Sequence, residues 1–178
     1  IDSNANNKHV NVTAAKDINI TGYHLGNWND EALGNGSIYA KVTDIPEGVY
    51  MFSSLAFTTD SLTTVAFAGN DTTYVKPSVI DIDRPTEVMT IATNKELTFG
   101  LRLINSNANW VGLDNVNLYY LGNSFEAYKK MAEAYVSHNK DYTSIIENGE
   151  ITYYSNEHYN EYKAAIKNLD NATTIDEI

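Results

Sequence analysis

From His9 to Leu121 apolar and polar residues alternate with a period close to two, and no stretch of helical period interrupts them. Such alternation sends one set of side chains to a core and the other to solvent, which is the pattern of a half-buried strand. Segments 9–13 (HVNVT), 17–21 (DINIT) and 37–43 (SIYAKVT) show it cleanly. Residues 44–48 (DIPEG) form a turn, in which Pro46 fixes φ and Gly48 accepts a positive one. In 49–58, Val49, Met51, Ser53, Leu55 and Phe57 share one face while Tyr50, Phe52 and Ala56 share the other. Both faces are largely apolar, which predicts a central strand. Further strands are expected at 62–68, 79–82, 87–92, 96–103 and about 110–121, divided by the turn residues at 69–71, 84–85, 93–95 and 105–109. About eight or nine short strands without helices between them imply two antiparallel sheets packed face to face, a jelly-roll β-sandwich.

Behind Gly122 the period changes. Ser124 is a good N-cap, and Phe125, Tyr128, Met131, Ala132 and Tyr135 recur at helical spacing. Segment 142–154 is ambiguous, with Asn148-Gly149 as a turn. Ser155 can cap a second helix carrying Tyr159, Tyr162, Ile166 and Leu169 on one stripe, and Thr174, Asp176 and Glu177 open a third. The expected fold is therefore mainly β with a C-terminal α-helical segment of two helices and the start of a third. The sandwich spans 1–122 and the helical segment, an incomplete bundle, spans 123–178. Two amphipathic helices bury little by themselves, so the chain is expected to be part of a longer polypeptide whose other domains are its partners.

Composition narrows the partners. The formal net charge is −11, and the 12 Lys and Arg residues are scattered. Phosphate backbones and anionic bilayers demand clustered cations, so neither nucleic acid nor an anionic membrane surface is an expected partner. No run approaches the roughly 18 apolar residues of a membrane span. Absence of cysteine removes disulfides, thiolate metal sites and cysteine nucleophiles. The abundance of Asn, Thr, Ser and Tyr without Cys suits an exported bacterial surface protein, and an extracellular or cell-surface location is expected.

Residues 109–116 (NWVGLDNV) resemble the last strand of galactose-binding-domain-like jelly rolls, which include many carbohydrate-binding modules and the β-domains of Bacteroidetes surface and glycan-utilisation proteins. Residues 37–50 (SIYAKVTDIPEGVY) resemble their strand–turn–strand motif, and 96–102 (ELTFGLR) their penultimate strand. The resemblance covers roughly 28–122, and the tail is similar to the small helical repeats that follow such modules. An opening strand of the Asn-Pro-x-Phe-Glu kind is not found. The resemblance implies a noncatalytic carbohydrate-binding module; the same scaffold also serves as a structural spacer or protein-interaction domain.

Sugar sites set flat aromatic faces against pyranose rings and ring them with amides and carboxylates. Trp28, within 26–31 (GNWNDE), has that company in Asn29, although packing is an equal alternative for it; Trp110, which begins a strand, reads as structural. The loop before the last strand often contacts ligand in the family, which brings in Asn107 and Asn109. Tyr39, with Tyr23 and Tyr74, is a lesser candidate. Asp114 shares a period-two face with Val116, Leu118 and Tyr120, so its carboxylate is expected to point inward. It then either accepts backbone hydrogen bonds or, as in related modules, helps to hold a structural calcium, the one candidate metal. The four histidines are dispersed, no nucleophile or phosphate-loop motif occurs, and no segment isolates two carboxylates in apolar surroundings. An enzyme is not expected.

Overall fold

The computed structural model describes residues 2–3, 8–11, 23–76, 85–139, 144–147, 150–153 and 156–178. The strands expected at 17–21 and 79–82, the cap Ser155 and the turn at 148–149 lie outside them. The chain divides into two compact units, Ile1–Leu121 and Gly122–Ile178.

The first unit is the sandwich. Its strands are β1 (Asp2–Ser3), β2 (Lys8–Asn11), β3 (Tyr23–Trp28), β4 (Gly34–Thr43), β5 (Gly48–Thr58), β6 (Thr64–Ala68), β7 (Asp71–Tyr74), β8 (Thr86–Ala92), β9 (Glu96–Ser106) and β10 (Trp110–Gly122). One sheet has the order β1-β4-β9-β6-β7 and the other β2-β3-β10-β5-β8. The eight strands from β3 onward pair concentrically and antiparallel: β3 with β10, β4 with β9, β5 with β8, and β6 with β7. A single folded ribbon rolled over itself gives that order, which is the jelly roll. The short strands β1 and β2 extend one edge of each sheet.

The innermost hairpin turns on Gly69 and Asn70, with Ala68 opposite Asp71 and Gly69 at φ 58°. A glycine at the first position of a two-residue turn supplies the positive φ that matches strand twist. In β9, Leu97, Phe99, Leu101 and Leu103 all face the core, as their alternation predicts. They meet Ile38 of β4 and Tyr50, Phe52 and Ala56 of β5, and the Phe52 and Phe99 rings, 5.3 Å apart, join one sheet to the other. Each such side chain, fully buried, contributes about 1.5–3 kcal/mol. Strand β5 is central, between β10 and β8, and is buried along nearly all its length.

At the 44–48 turn, Asp44 and Gly48 take φ of 57° and 141°. The Tyr50 hydroxyl donates to the Pro46 carbonyl at 2.8 Å and its ring lies 5.0 Å from that of Tyr120. Burial, then the neighbouring Tyr120 phenol, holds the Tyr50 hydroxyl above the ordinary tyrosine range.

The second unit contains α1 (Phe125–Asn139), β11 (Ser144–Glu147), β12 (Glu150–Tyr153), α2 (Asn156–Asn171) and a single 3-10 turn (Ile175–Glu177). Ser124 caps α1, its Oγ accepting from the Ala127 N–H at 3.4 Å. At the third start, Glu177 Oε2 accepts the N–H groups of Thr173 and Thr174 at 2.7 and 3.1 Å. The hairpin β11–β12 falls within segment 142–154, which the sequence leaves open. Ile145 stands opposite Thr152 and Ile146 opposite Ile151, and a two-residue Asn-Gly link is the strongest local hairpin signal. Among the described residues, no helix is long and apolar enough to cross a membrane.

Candidate functional site

The site grows out of two polar regions that meet at the loops joining β3 to β4 and β9 to β10. The first is closed. Asp60, after β5, receives the Leu62 N–H on Oδ1 at 3.1 Å, and the Thr63 hydroxyl and Asn107 N–H on Oδ2 at 2.8 and 3.2 Å. The Thr63 hydroxyl also lies 2.7 Å from Ser106 Oγ, and the buried hydroxyls of Thr58 and Thr64 are 2.8 Å apart. Thr59 Oγ1 donates to Asn109 Oδ1 at 3.0 Å while it accepts the N–H groups of Asn109 and Trp110 at 3.0 and 3.3 Å. These bonds fasten the β9–β10 loop to the end of β5.

That loop in turn fixes the β3–β4 connection. The Asn29 N–H donates to the Asn109 carbonyl at 2.9 Å and the Leu33 N–H to the Ala108 carbonyl at 2.8 Å. Beside the pinned connection, between β3, β4 and β9, lies an open cleft of about 930 Å³. Its polar wall is Asn27, Trp28, Asn29, Asn35, Ser37 and Arg102, and its apolar lining includes Ile38, Leu103 and Val111.

Trp28 is 51% exposed at this cleft. It stands directly opposite Trp110 in the β3–β10 register, so both side chains leave the same face of the sheet. Their surroundings differ. Trp110 packs edge-on against Phe57, with ring centroids 4.5 Å apart at 76°, and is half-buried. Gly112, two residues further on, is where the Phe57 ring lies over the strand: any Cβ there would strike that ring. The Trp-Val-Gly-Leu spacing thus places a tryptophan beside the phenylalanine and leaves a hole beneath it.

The other expected site residues fall differently. Asn29 is exposed and lines the cleft, its Oδ1 accepting from the Asp30 N–H at 2.9 Å. Asn107 is exposed and held through its backbone by Asp60; Asn109 commits its Oδ1 to Thr59; neither is among the described residues lining the cleft. Tyr39 is half-buried on β4, opposite Gly100, and does not line it either. Tyr74 is exposed on β7, at the opposite edge of its sheet. Nothing is described of the Tyr23 side chain.

Asp114 does not point into the core. Alternation along β10 holds through Val111 and Leu113 and breaks at Asn115, whose φ is 52°. A left-handed residue inside a strand re-aims its neighbours as a bulge does. Asp114 is consequently half-buried, with Oδ1 accepting the Asn115 N–H at 2.7 Å, and it stabilises the irregularity it sits in. Among the described residues no group of three or more His, Cys, Asp or Glu side chains is arranged to hold a metal ion.

Asn35 and Arg102 escaped the sequence reading of the cleft, and Asn27 entered it only as part of 26–31 (GNWNDE). Asn35 faces a bulge in β9, where Gly34 pairs with Ser106 but Gly36 with Leu103 and Asn105 takes φ 46°; its Nδ2 donates to Asn105 Oδ1 at 2.9 Å and its Oδ1 accepts the Asn105 N–H at 2.8 Å. Asn27 stands opposite Val111 on β3. Arg102 was legible only as the cation on the solvent face of a strand whose other face is Leu101 and Leu103. Comparison with protein-family models, with curated proteins and with solved structures finds no match.

Proposed function

We propose that the sandwich is a noncatalytic carbohydrate-binding module, of the galactose-binding-like kind that its motifs resemble, on an exported bacterial protein. The observation that carries this reading is Trp28: a half-exposed indole at the edge of a concave site with side-chain amides around it. An indole left in water is costly unless something apolar covers it, and the hydrophobic face of a pyranose does so while Asn27 and Asn29 take its hydroxyls. Binding without turnover is favoured because no carboxylate is among the described residues that line the cleft, whereas glycoside hydrolysis generally uses a facing pair. A glycan array followed by calorimetry tests the reading. A hit whose affinity falls at least tenfold, about 1.4 kcal/mol, in Trp28→Ala supports it; absence of binding across plant, host and microbial polysaccharides rejects it.

A second reading, a structural spacer, has one observation of its own. Asn107 and Asn109, the loop residues expected to meet ligand, are engaged in the internal bonding that fastens one loop to the next. If the array is empty and Trp28→Ala leaves the fold unchanged, this reading takes its place.

A further inference from the structure

We propose that the outer face of the β1-β4-β9-β6-β7 sheet is a second binding surface, which takes an acidic polysaccharide by seating a sugar ring on Tyr74 and a carboxylate on Arg102. The inference rests on reading the sandwich as a glycan-binding module and adds this surface and the class of sugar. Alternation fixes the face. On β9, Leu101 and Leu103 enter the core, and Arg102 between them is exposed on the other side. The ladders then run straight across the sheet. Ser37 of β4 stands opposite Arg102, Arg102 opposite Val65 of β6, and Val65 opposite Tyr74 of β7. Residues opposite one another in a ladder leave the same face, so the guanidinium and the phenol belong to one row. Their backbones are two strand spacings, about 10 Å, apart. Trp28 is no member of this row: it leaves the outer face of the other sheet, opposite Trp110.

Both groups have bonding capacity to spare. The Arg102 guanidinium carbon sits 4.5 Å from the centroid of the Phe67 ring, one row further along β6, and Phe67 is itself only 3% exposed. A ring beneath the guanidinium sets its plane and leaves its N–H edges open, and those edges match the two oxygens of a carboxylate. Among the described residues no carboxylate pairs with it. Glu96, on the same face of β9, is taken by Lys41 at 2.8 Å, and Asp2 stands beyond β4, opposite Tyr39. Tyr74 is 66% exposed, and no described residue hydrogen-bonds its hydroxyl. Around the pair, Ser37, Tyr39, Thr72 and Thr98 add neutral hydroxyls to the same face. Strands β9 and β6 have neighbours on both sides, so their backbone groups are spent in the ladders and a peptide cannot add there as a strand. The face therefore offers a flat ring, hydroxyls and one oriented cation, the complement of a pyranose chain that bears carboxylates. The net charge of −11 opposes an anion at long range. At physiological salt that field is screened within about 8 Å, so the local cation decides.

The test is calorimetry of the whole chain with oligosaccharides of galacturonic, glucuronic and mannuronic acid, each beside its carboxyl-reduced, neutral counterpart. At least one acid is expected to bind tenfold or more tightly than its reduced form, and to weaken as salt is raised. Arg102→Gln should abolish that preference and Arg102→Lys should restore part of it. Tyr74→Ala should weaken the acid and its reduced form alike, with thermal unfolding confirming that all three variants fold. Equal binding of acidic and reduced sugars overturns the proposal and leaves the glycan reading standing. So does an acid whose binding survives Arg102→Gln and Tyr74→Ala but is lost in Trp28→Ala. No binding of any sugar, acidic or neutral, overturns this proposal and the glycan reading with it.

Discussion

The Asp60 clasp and the Trp28 cleft meet at the same loops and use their polar residues in opposite ways. In the clasp, the carboxylate of Asp60 and the hydroxyls of Thr58, Thr59, Thr63, Thr64 and Ser106 bond to one another and to backbone N–H groups. In the cleft, Trp28 is half in water and Asn29 is exposed beside it, its Oδ1 taken up by the adjoining Asp30 N–H. Polar residues that satisfy each other hold a fold together; polar residues with capacity to spare are available to a ligand. The clasp gives the cleft a rigid wall, since the Asn29 and Leu33 N–H groups hang on carbonyls of the loop that Asp60 and Thr59 fasten.

The contrast can be broken at its floor. Gly112→Leu should cost about 3 kcal/mol, because a side chain there displaces the Phe57 ring from beneath Trp110. Urea unfolding would measure it, and a loss under about 1 kcal/mol would mean that the ring moves aside freely. Asp60→Ala is next, at about 2 kcal/mol, since one change leaves the Leu62 and Asn107 N–H groups and the Thr63 hydroxyl without their charged acceptor. The paired variants Asn109→Ala and Trp28→Ala separate the two regions. The first should cost about 1 kcal/mol of stability through its lost bond to Thr59, and the second less than about 0.5 kcal/mol, as an exposed surface change does. If Trp28→Ala proves the more destabilising by chemical denaturation, the cleft tryptophan belongs to the packing.

One effect has the opposite sign. Ser54, 1% exposed on β5, carries the one buried side-chain oxygen among the described residues that has no hydrogen-bond partner in the protein. By the logic of the clasp it should be a cost, and Ser54→Ala is expected to stabilise by about 1 kcal/mol. A loss of stability instead would reveal a bound water at that hydroxyl.

Sheets and core were legible in the sequence because alternation is a local record of burial. Leu97, Phe99, Leu101 and Leu103 announced their face, and the two apolar faces of β5 announced a central strand. What was not legible is where alternation yields to backbone geometry. Asn115 turns left-handed, so Asp114, read as an inward carboxylate, emerges at an irregular strand instead. In 142–154 the Asn-Gly turn was legible, but segments as short as those of β11 and β12 are too brief for period alone to decide between strand and helix. In the cleft, Trp28 stood out by its company, Asn27 included, whereas Ser37 and Leu103 reach the cleft only through pairings between strands distant in sequence, which no local pattern encodes.

The concentric pairing bears on the order in which the molecule assembles. The β6–β7 hairpin closes over two residues, while β3 must find β10 across most of the unit, Leu25 against Leu113. Loop-closure entropy makes the short connection cheap and the long one slow. The ribbon is therefore expected to zip from its tip towards its open end, and the cleft, made by the outermost pairs, is finished last. The same order in reverse governs native-state opening: amides of β3 should exchange with solvent before those of β6 and β9, as hydrogen exchange followed by mass spectrometry can measure. A bound sugar would act as the latch on that end, slowing exchange in β3 and β10 without touching the hairpin where folding began.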